Sequence, residues 1–243
     1  MGATKNTFPA AATAWLTPDS GPVLAIGVSS AAQARRIAKG RYEQFITDTA
    51  PKALRALKIR WPDVKTVAAE SEHLPFRPQG FGAVVVDSLP SELSGEQLAS
   101  FAKALRPGGK LILQRIVRDD TVPWVKRLAA ILRQVEPEAM ATSDVSSDLV
   151  ESEHFPILEH RDFRLWIPVQ RDGLLAQARA LVEDAGDSAV EFVTQNVGEL
   201  YDSLARRGDP LLLPYAVHGW RAIVDHTRVR ADLLFEDSIR ITI

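Results

Sequence analysis

Asp48, Glu70 and Asp87 each close a short apolar run, in "FITD", "VAAE" and "AVVVD". Carboxylates at the ends of neighbouring strands can accept hydrogen bonds from the hydroxyl groups of a ligand lying across those ends. A further run, "VLAIG", leads through Val28, Ser29 and Ser30 into the helical pattern "AAQARRIA". Strand, tight turn and helix in that order normally cradle a nucleotide-type cofactor, and the turn is normally rich in glycine. Here only Gly27 remains, followed by Val28, Ser29, Ser30 and Ala31. Aspartate is also common at strand ends and helix N-caps with no ligand nearby. One such acid therefore identifies nothing, whereas three in register carry a signal.

The elements that must hold these residues alternate along the first half of the chain. Apolar runs at 22–28, 41–48, 64–70, 82–89 and 110–117 read as buried parallel strands. Helical segments are expected at 31–39, 51–60 and 94–105; Pro51 suits a first helical turn, and "RPGG" at 106–109 stops a helix before a strand. This alternation implies right-handed crossovers and a doubly wound α/β sheet.

After Val117 the rhythm changes. Trp124–Gln134 has helical apolar spacing, 142–154 reads as a polar loop, and 155–170 as a strand pair or a strand in two pieces. Amphipathic helices are expected at 171–185 and 188–207, and the runs "LLLPYAVHGWRAIVDH" and "DLLFEDSIRITI" read as two closing strands. The expectation is one domain over 1–243, with a seven-stranded Rossmann-like core at 20–117 and 213–243 and an inserted cap at about 118–212.

The composition bounds the function. The 243 residues are 46% hydrophobic and 25% charged, with a net charge of −2, which points to no nucleic-acid or anionic-membrane surface. No cysteine is present, so disulfides, thiolate metal sites and cysteine nucleophiles are excluded. The five histidines show none of the close paired spacings of metal sites, and no Gly-x-Ser-x-Gly motif occurs. No metal and no specific catalytic residue are assigned. No apolar stretch reaches the ~18 residues of a membrane span, and a cytoplasmic location is expected.

The stretches "PVLAIGVSSAAQARRIA", "FITDTAPKALRALK", "VAAESEHLPFRPQGFGAVVVD" and "ALRPGGKLIL" resemble, in order and spacing, the motifs of class I S-adenosylmethionine-dependent methyltransferases. The similarity is to the methyltransferase-domain-11 group, whose alanine–glutamate and "LPF" pattern is matched across Glu70–Phe76. "VRDDTVPWVKRL", "EHRDFRLWIPVQRDGLL" and "LPYAVHGWRA" resemble the cap and closing strands of an actinobacterial branch, so the resemblance spans nearly the whole chain. It implies S-adenosylmethionine as cofactor, with Gly27, Ser29, Asp48, Glu70, Ser71 and Asp87 at the cofactor-binding positions.

Several positions depart from the family pattern. The first motif, acid-x-Gly-x-Gly-x-Gly, falls here on Ala25, Gly27, Ser29 and Ala31. The family's Phe-Asp before the fourth strand is Phe81-Gly82, and the Trp-Asn after the fifth is Arg115-Ile116. Side chains replacing glycine crowd the ligand, and any replaced glycine at positive φ would be strained. The expectation is weak or absent S-adenosylmethionine binding and a non-catalytic or weakly active protein. It would serve as a structural or regulatory subunit, in a homo- or hetero-oligomer with an active homologue. The helices at 123–135 and 190–204 are the candidate contact surface. The alternative is an active methyltransferase on a small-molecule or lipid-like acceptor; methyl transfer can proceed largely by alignment, so the lack of an evident base does not exclude it.

Overall fold

A computed structural model describes residues 8–87, 93–119, 121–137, 152–206 and 209–227. After helix α1 (Ala10–Leu16) come β1 (Val23–Ile26), a 3-10 turn at Val28–Ser30, α2 (Ala31–Ala38), β2 (Gln44–Asp48), α3 (Pro51–Arg60) and β3 (Lys65–Ala68). Next are β4 (Phe81–Asp87), α4 (Gly95–Ala104), β5 (Leu105–Arg118) and α5 (Pro123–Arg133). The described chain closes with β6 (Leu158–Val169), α6 (Arg171–Ala180), a 3-10 turn at Glu183–Ala185, α7 (Asp187–Leu204) and β7 (Leu211–Ile223).

The strands form one seven-stranded mixed sheet of order β3-β2-β1-β4-β5-β7-β6. β1 pairs in parallel with β2 on one side (Ala25 opposite Ile46) and with β4 on the other (Ala25 opposite Val85). β2–β3 and β4–β5 are parallel too, the latter with a register shift between Phe81 and Ala83. The doubly wound Rossmann-like architecture is as the sequence implies. Strand order reverses between β1 and β4, which puts the ligand crevice of such a sheet at the carboxyl ends of these strands.

Local chemistry explains the boundaries. Pro51 occupies the first turn of α3, where its missing N–H costs nothing. Ser94 caps α4 by accepting from the Gln97 N–H, while the Gln97 side chain accepts from the Ser94 N–H, a complete capping box. Helix α2 ends where Lys39 (φ 48°) and Gly40 (φ 70°) turn left-handed.

Two strand expectations change. The strand expected from 110 begins at Leu105, directly after α4, so "RPGG" lies inside it. The segment at 155–170 is a single strand, β6, and it completes the seven. The expected closing strand "DLLFEDSIRITI" lies outside the described residues. Helix α1, with Ala12, Trp15 and Leu16 buried, was not read from the sequence; seven residues show too few turns for a period to register.

The chain divides into two compact units. One comprises the described residues of 10–115, 152–161 and 218–227. Its core includes Leu24, Val84, Val86, Phe101, Leu111, Leu113, Phe155 and Trp220. Phe76, from the "LPF" stretch, meets Phe81 and Phe45 edge-on at centroid distances of 5.0 and 5.9 Å, so this turn folds back over the sheet. The other unit comprises 8–9 and the described residues of 116–137 and 162–217. Its own core takes Val125, Leu128 and Leu132 from α5, Leu174, Leu175 and Ala178 from α6, and Val193, Val197, Leu200 and Tyr201 from α7. Most apolar residues of the two helices expected to meet a partner thus pack within their own unit, while Phe192 and Leu204 of α7 are exposed. Among the described residues no helix is long and apolar enough to cross a membrane.

Candidate functional site

The carboxyl ends of β1, β2 and β4 bring Gly27, Ser29, Asp48 and Asp87 to one end of the core unit. Gly27 has φ 77° and ψ 149°, a conformation that side chains rarely adopt, so the single retained glycine stands where the turn needs one. A Cβ built there would lie 3.3 Å from Ser29 Oγ and 3.8 Å from Asp48 Oδ2. Ser29 and Ala31 do not share that conformation: Ala31 is already helical at φ −61°, and Ser29 is not among the positive-φ residues. The strain expected from replacing glycine at these positions is therefore absent. What remains of the objection is steric.

Three backbone donors of the turn are engaged within the protein. Gly27 N–H donates to Thr47 O at 2.7 Å, and Val28 N–H to Asp48 Oδ2 at 2.8 Å. Ser30 N–H donates to Gly27 O at 3.1 Å. The Asp48 carboxylate takes a second backbone donor, Ala50 N–H, on Oδ1 at 2.8 Å. Each of its oxygens keeps another lone pair, so ribose-type hydroxyls can still donate to this half-buried group.

Ser30, which sequence reasoning passed over, is fully buried. Its hydroxyl donates to Ile26 O at 2.5 Å and accepts the Asp87 N–H at 2.8 Å, tying the ends of β1 and β4 together. Beneath α2 a polar group continues from it. Gln33 and Gln114 are fully buried; Gln33 Oε1 accepts from Arg36 Nε at 3.0 Å, and Gln114 Nε2 donates to Asp87 Oδ1 at 3.4 Å. Desolvation lowers the Arg36 pKa from its ordinary value, and the Asp87 charge opposes that shift. Gln33 Nε2 and Gln114 Oε1 have no hydrogen-bond partner among the described residues. Ser30, Gln33, Arg36 and Gln114 find their partners or their burial only in the folded chain, so a single sequence gives no signal for them.

The remaining site residues lie after β3. Ala69 N–H donates to Asp48 O at 3.2 Å, which holds this segment beside the end of β2. Glu70 follows and is exposed. Ser71 turns elsewhere: its hydroxyl donates to Glu72 Oε2 at 3.0 Å and accepts from Gln97 Nε2 at 2.9 Å. Gly82 explains one departure from the family pattern. A Cβ there would lie 2.1 Å from Ser20 O, so no side chain, the family's aspartate included, fits this backbone.

The fold also brings two of the histidines together. His160 on β6 and His218 on β7, far apart in sequence, are brought to neighbouring strands with their rings stacked. Spacing along the chain cannot reveal such a pair.

No protein-family model matches the chain. It is similar to an uncharacterised methyltransferase-like protein of Schizosaccharomyces pombe, 25% identical over 144 residues, 56% of each chain. It is also similar to an uncharacterised methyltransferase of Mycobacterium tuberculosis, 26% identical over 130 residues, 53% of this chain and 54% of the relative. The chain spans about half the length of the curated relatives it matches. Among solved structures, a candidate type II methyltransferase from Anaeromyxobacter dehalogenans superposes with a TM-score of 0.66 at 17% identity, covering 91% of this chain and 98% of that one. A candidate methyltransferase from Bacillus halodurans gives 0.55 at 14% identity, covering 88% and 98%. The fold is that of the class I methyltransferases. The resemblance to that family read from the motifs agrees with the relatives that sequence similarity finds.

Proposed function

We propose that this methyltransferase-fold protein has a partly degraded S-adenosylmethionine site and is non-catalytic or weakly active. The single observation that carries the reading is the closed turn after β1: the N–H groups of Gly27, Val28 and Ser30 are all engaged by protein acceptors. The residues suit the ribose end of the cofactor, through Asp48 and, beside it, Glu70. They do not suit its amino-acid end, where the first-motif acid is the fully buried Ala25 and Ser29 projects beside Gly27. A fold kept while its site decays retains its surface, and a subunit role beside an active homologue in the cytoplasm is the use we infer.

Equilibrium dialysis with S-adenosylmethionine and S-adenosylhomocysteine tests the first part. Binding weaker than low-micromolar, less favourable than about −8 kcal/mol, is expected. Ser29→Gly, which removes only the side chain beside Gly27, is expected to tighten it, and Ala25→Asp to tighten it further where the variant folds. Tight binding by the native chain overturns the reading. Light scattering of the chain alone and co-expressed with an active homologue tests the second part; a monomer in both overturns it.

The second reading is an active enzyme on a small-molecule acceptor. The lone pairs left on Asp48 and the relatives' names favour it, and tight cofactor binding would select it.

A further inference from the structure

His160 on β6 and His218 on β7 belong to the core unit and lie on strands adjacent in the sheet. Their rings are nearly parallel, with centroids 5.9 Å apart and planes 16° apart. A ring nitrogen of each lies within 4.8 Å of a ring nitrogen of the other. Trp220, two residues along β7 from His218, stacks on both: 4.9 Å and 17° from His160, 5.9 Å and 27° from His218. Trp220 is itself buried in the core, so one wall of the histidine pair is fixed. His160 is exposed and His218 half-buried, which lets a hydrated ion approach and keep part of its water.

We propose that His160 and His218 form a binding site for a first-row divalent cation of the zinc, nickel or copper type, bridging β6 and β7. Imidazole suits these ions, whereas calcium and magnesium want a cage of oxygen ligands that two histidines do not supply. With metal–nitrogen bonds of about 2.0–2.1 Å, two ligands of a tetrahedral ion stand roughly 3.3 Å apart. Chelation requires the two rings to rotate out of their stack so that both nitrogen lone pairs face one ion, and water completes the coordination. Because β6 is the last strand in the sheet order among the described residues, the ion acts as a staple holding it to its neighbour β7. An ion that binds only the folded chain raises its stability with concentration.

The untagged full-length chain is titrated with ZnCl2 and NiCl2 by calorimetry. It is then titrated with CuCl2 while tryptophan emission is followed, since Trp220 against the site reports copper arrival by quenching. One saturable ion per chain is expected, with a melting temperature that rises as zinc is added. His160→Gln and His218→Gln are each expected to weaken binding by at least roughly tenfold, the low end of what even an outer-shell partner of a metal is worth. His73→Gln, on the exposed segment after β3, leaves binding unchanged. Both test substitutions are at surface-accessible rings, and either one alone, shown folded by its metal-free melting curve, suffices. Wild-type affinity in a folded His160→Gln or His218→Gln chain overturns the proposal, as does the absence of saturable binding by the native chain.

Discussion

The Val28 N–H donates to Asp48 Oδ2 at 2.8 Å, so the acid that ends β2 is bonded to the turn that ends β1. The same carboxylate accepts from Ala50 N–H at the start of α3. Asp48 is thereby a structural residue of the crevice as well as a candidate ligand contact. A ligand that draws on its remaining lone pairs meets a group already held in place.

Asp48→Asn keeps the shape but can accept on only one atom, so one backbone N–H loses its partner. A loss of about 1–3 kcal/mol in stability is expected, as for a part-buried donor left unpaired. The urea midpoint measures it, and an unchanged midpoint would show that water replaces the carboxylate without cost.

Ser30→Ala and Ser29→Ala form a paired test. Ser30 is buried and bridges Ile26 O to Asp87 N–H, so its removal is expected to cost about 1–3 kcal/mol. Ser29 is exposed, and its removal is expected to change stability by less than about 0.5 kcal/mol. Equal melting curves for the two variants would contradict the bridging role.

Gly82→Ala forces a methyl group against the Ser20 carbonyl, whose oxygen is 2.1 Å from the Cβ position. Backbone on both sides of that contact must move, and the expected loss is about 1–3 kcal/mol or more. Gly82→Asp, which restores the family pattern at this position, should be no better tolerated. Thermal melting that leaves either variant as stable as the native chain would show that the 20–22 segment yields.

Asp19 accepts from Lys110 Nζ at 2.6 Å, and this hydrogen bond, with the lysine charge behind it, lowers the Asp19 pKa from its ordinary 3.8. A folded-state pKa below the unfolded value gives stability that is present above pH 3.8 and lost as pH falls through the lowered value. The aspartate is mostly exposed, so screening limits the pair to at most about 1 kcal/mol. Asp19→Asn is therefore expected to lower stability slightly at pH 7, with a difference that shrinks to nothing in the acid range. Denaturant melts from pH 7 downward measure it; a difference that grows on acidification would reverse the assignment.

The sequence by itself determined the repeating strand–helix order, the end of β2 at Asp48, and the methyltransferase-type fold. Those features depend on local patterns: apolar runs bounded by turn residues, and a proline that opens α3. It also put Gly27, Asp48 and Asp87 at strand ends, because parallel strands bring their carboxyl ends to one side. Only the tertiary structure decided which turn groups were already engaged, since the partners of Val28 N–H and Asp87 N–H come from other segments. It likewise decided that Ser29 and Ala31 need no glycine conformation, that Ser20 forbids a side chain at position 82, and that β6 completes the sheet. The stacking of His160 on His218 is of the same kind. Their proximity follows from strand order, and strand order is fixed by the packing of the whole sheet rather than by any window of sequence.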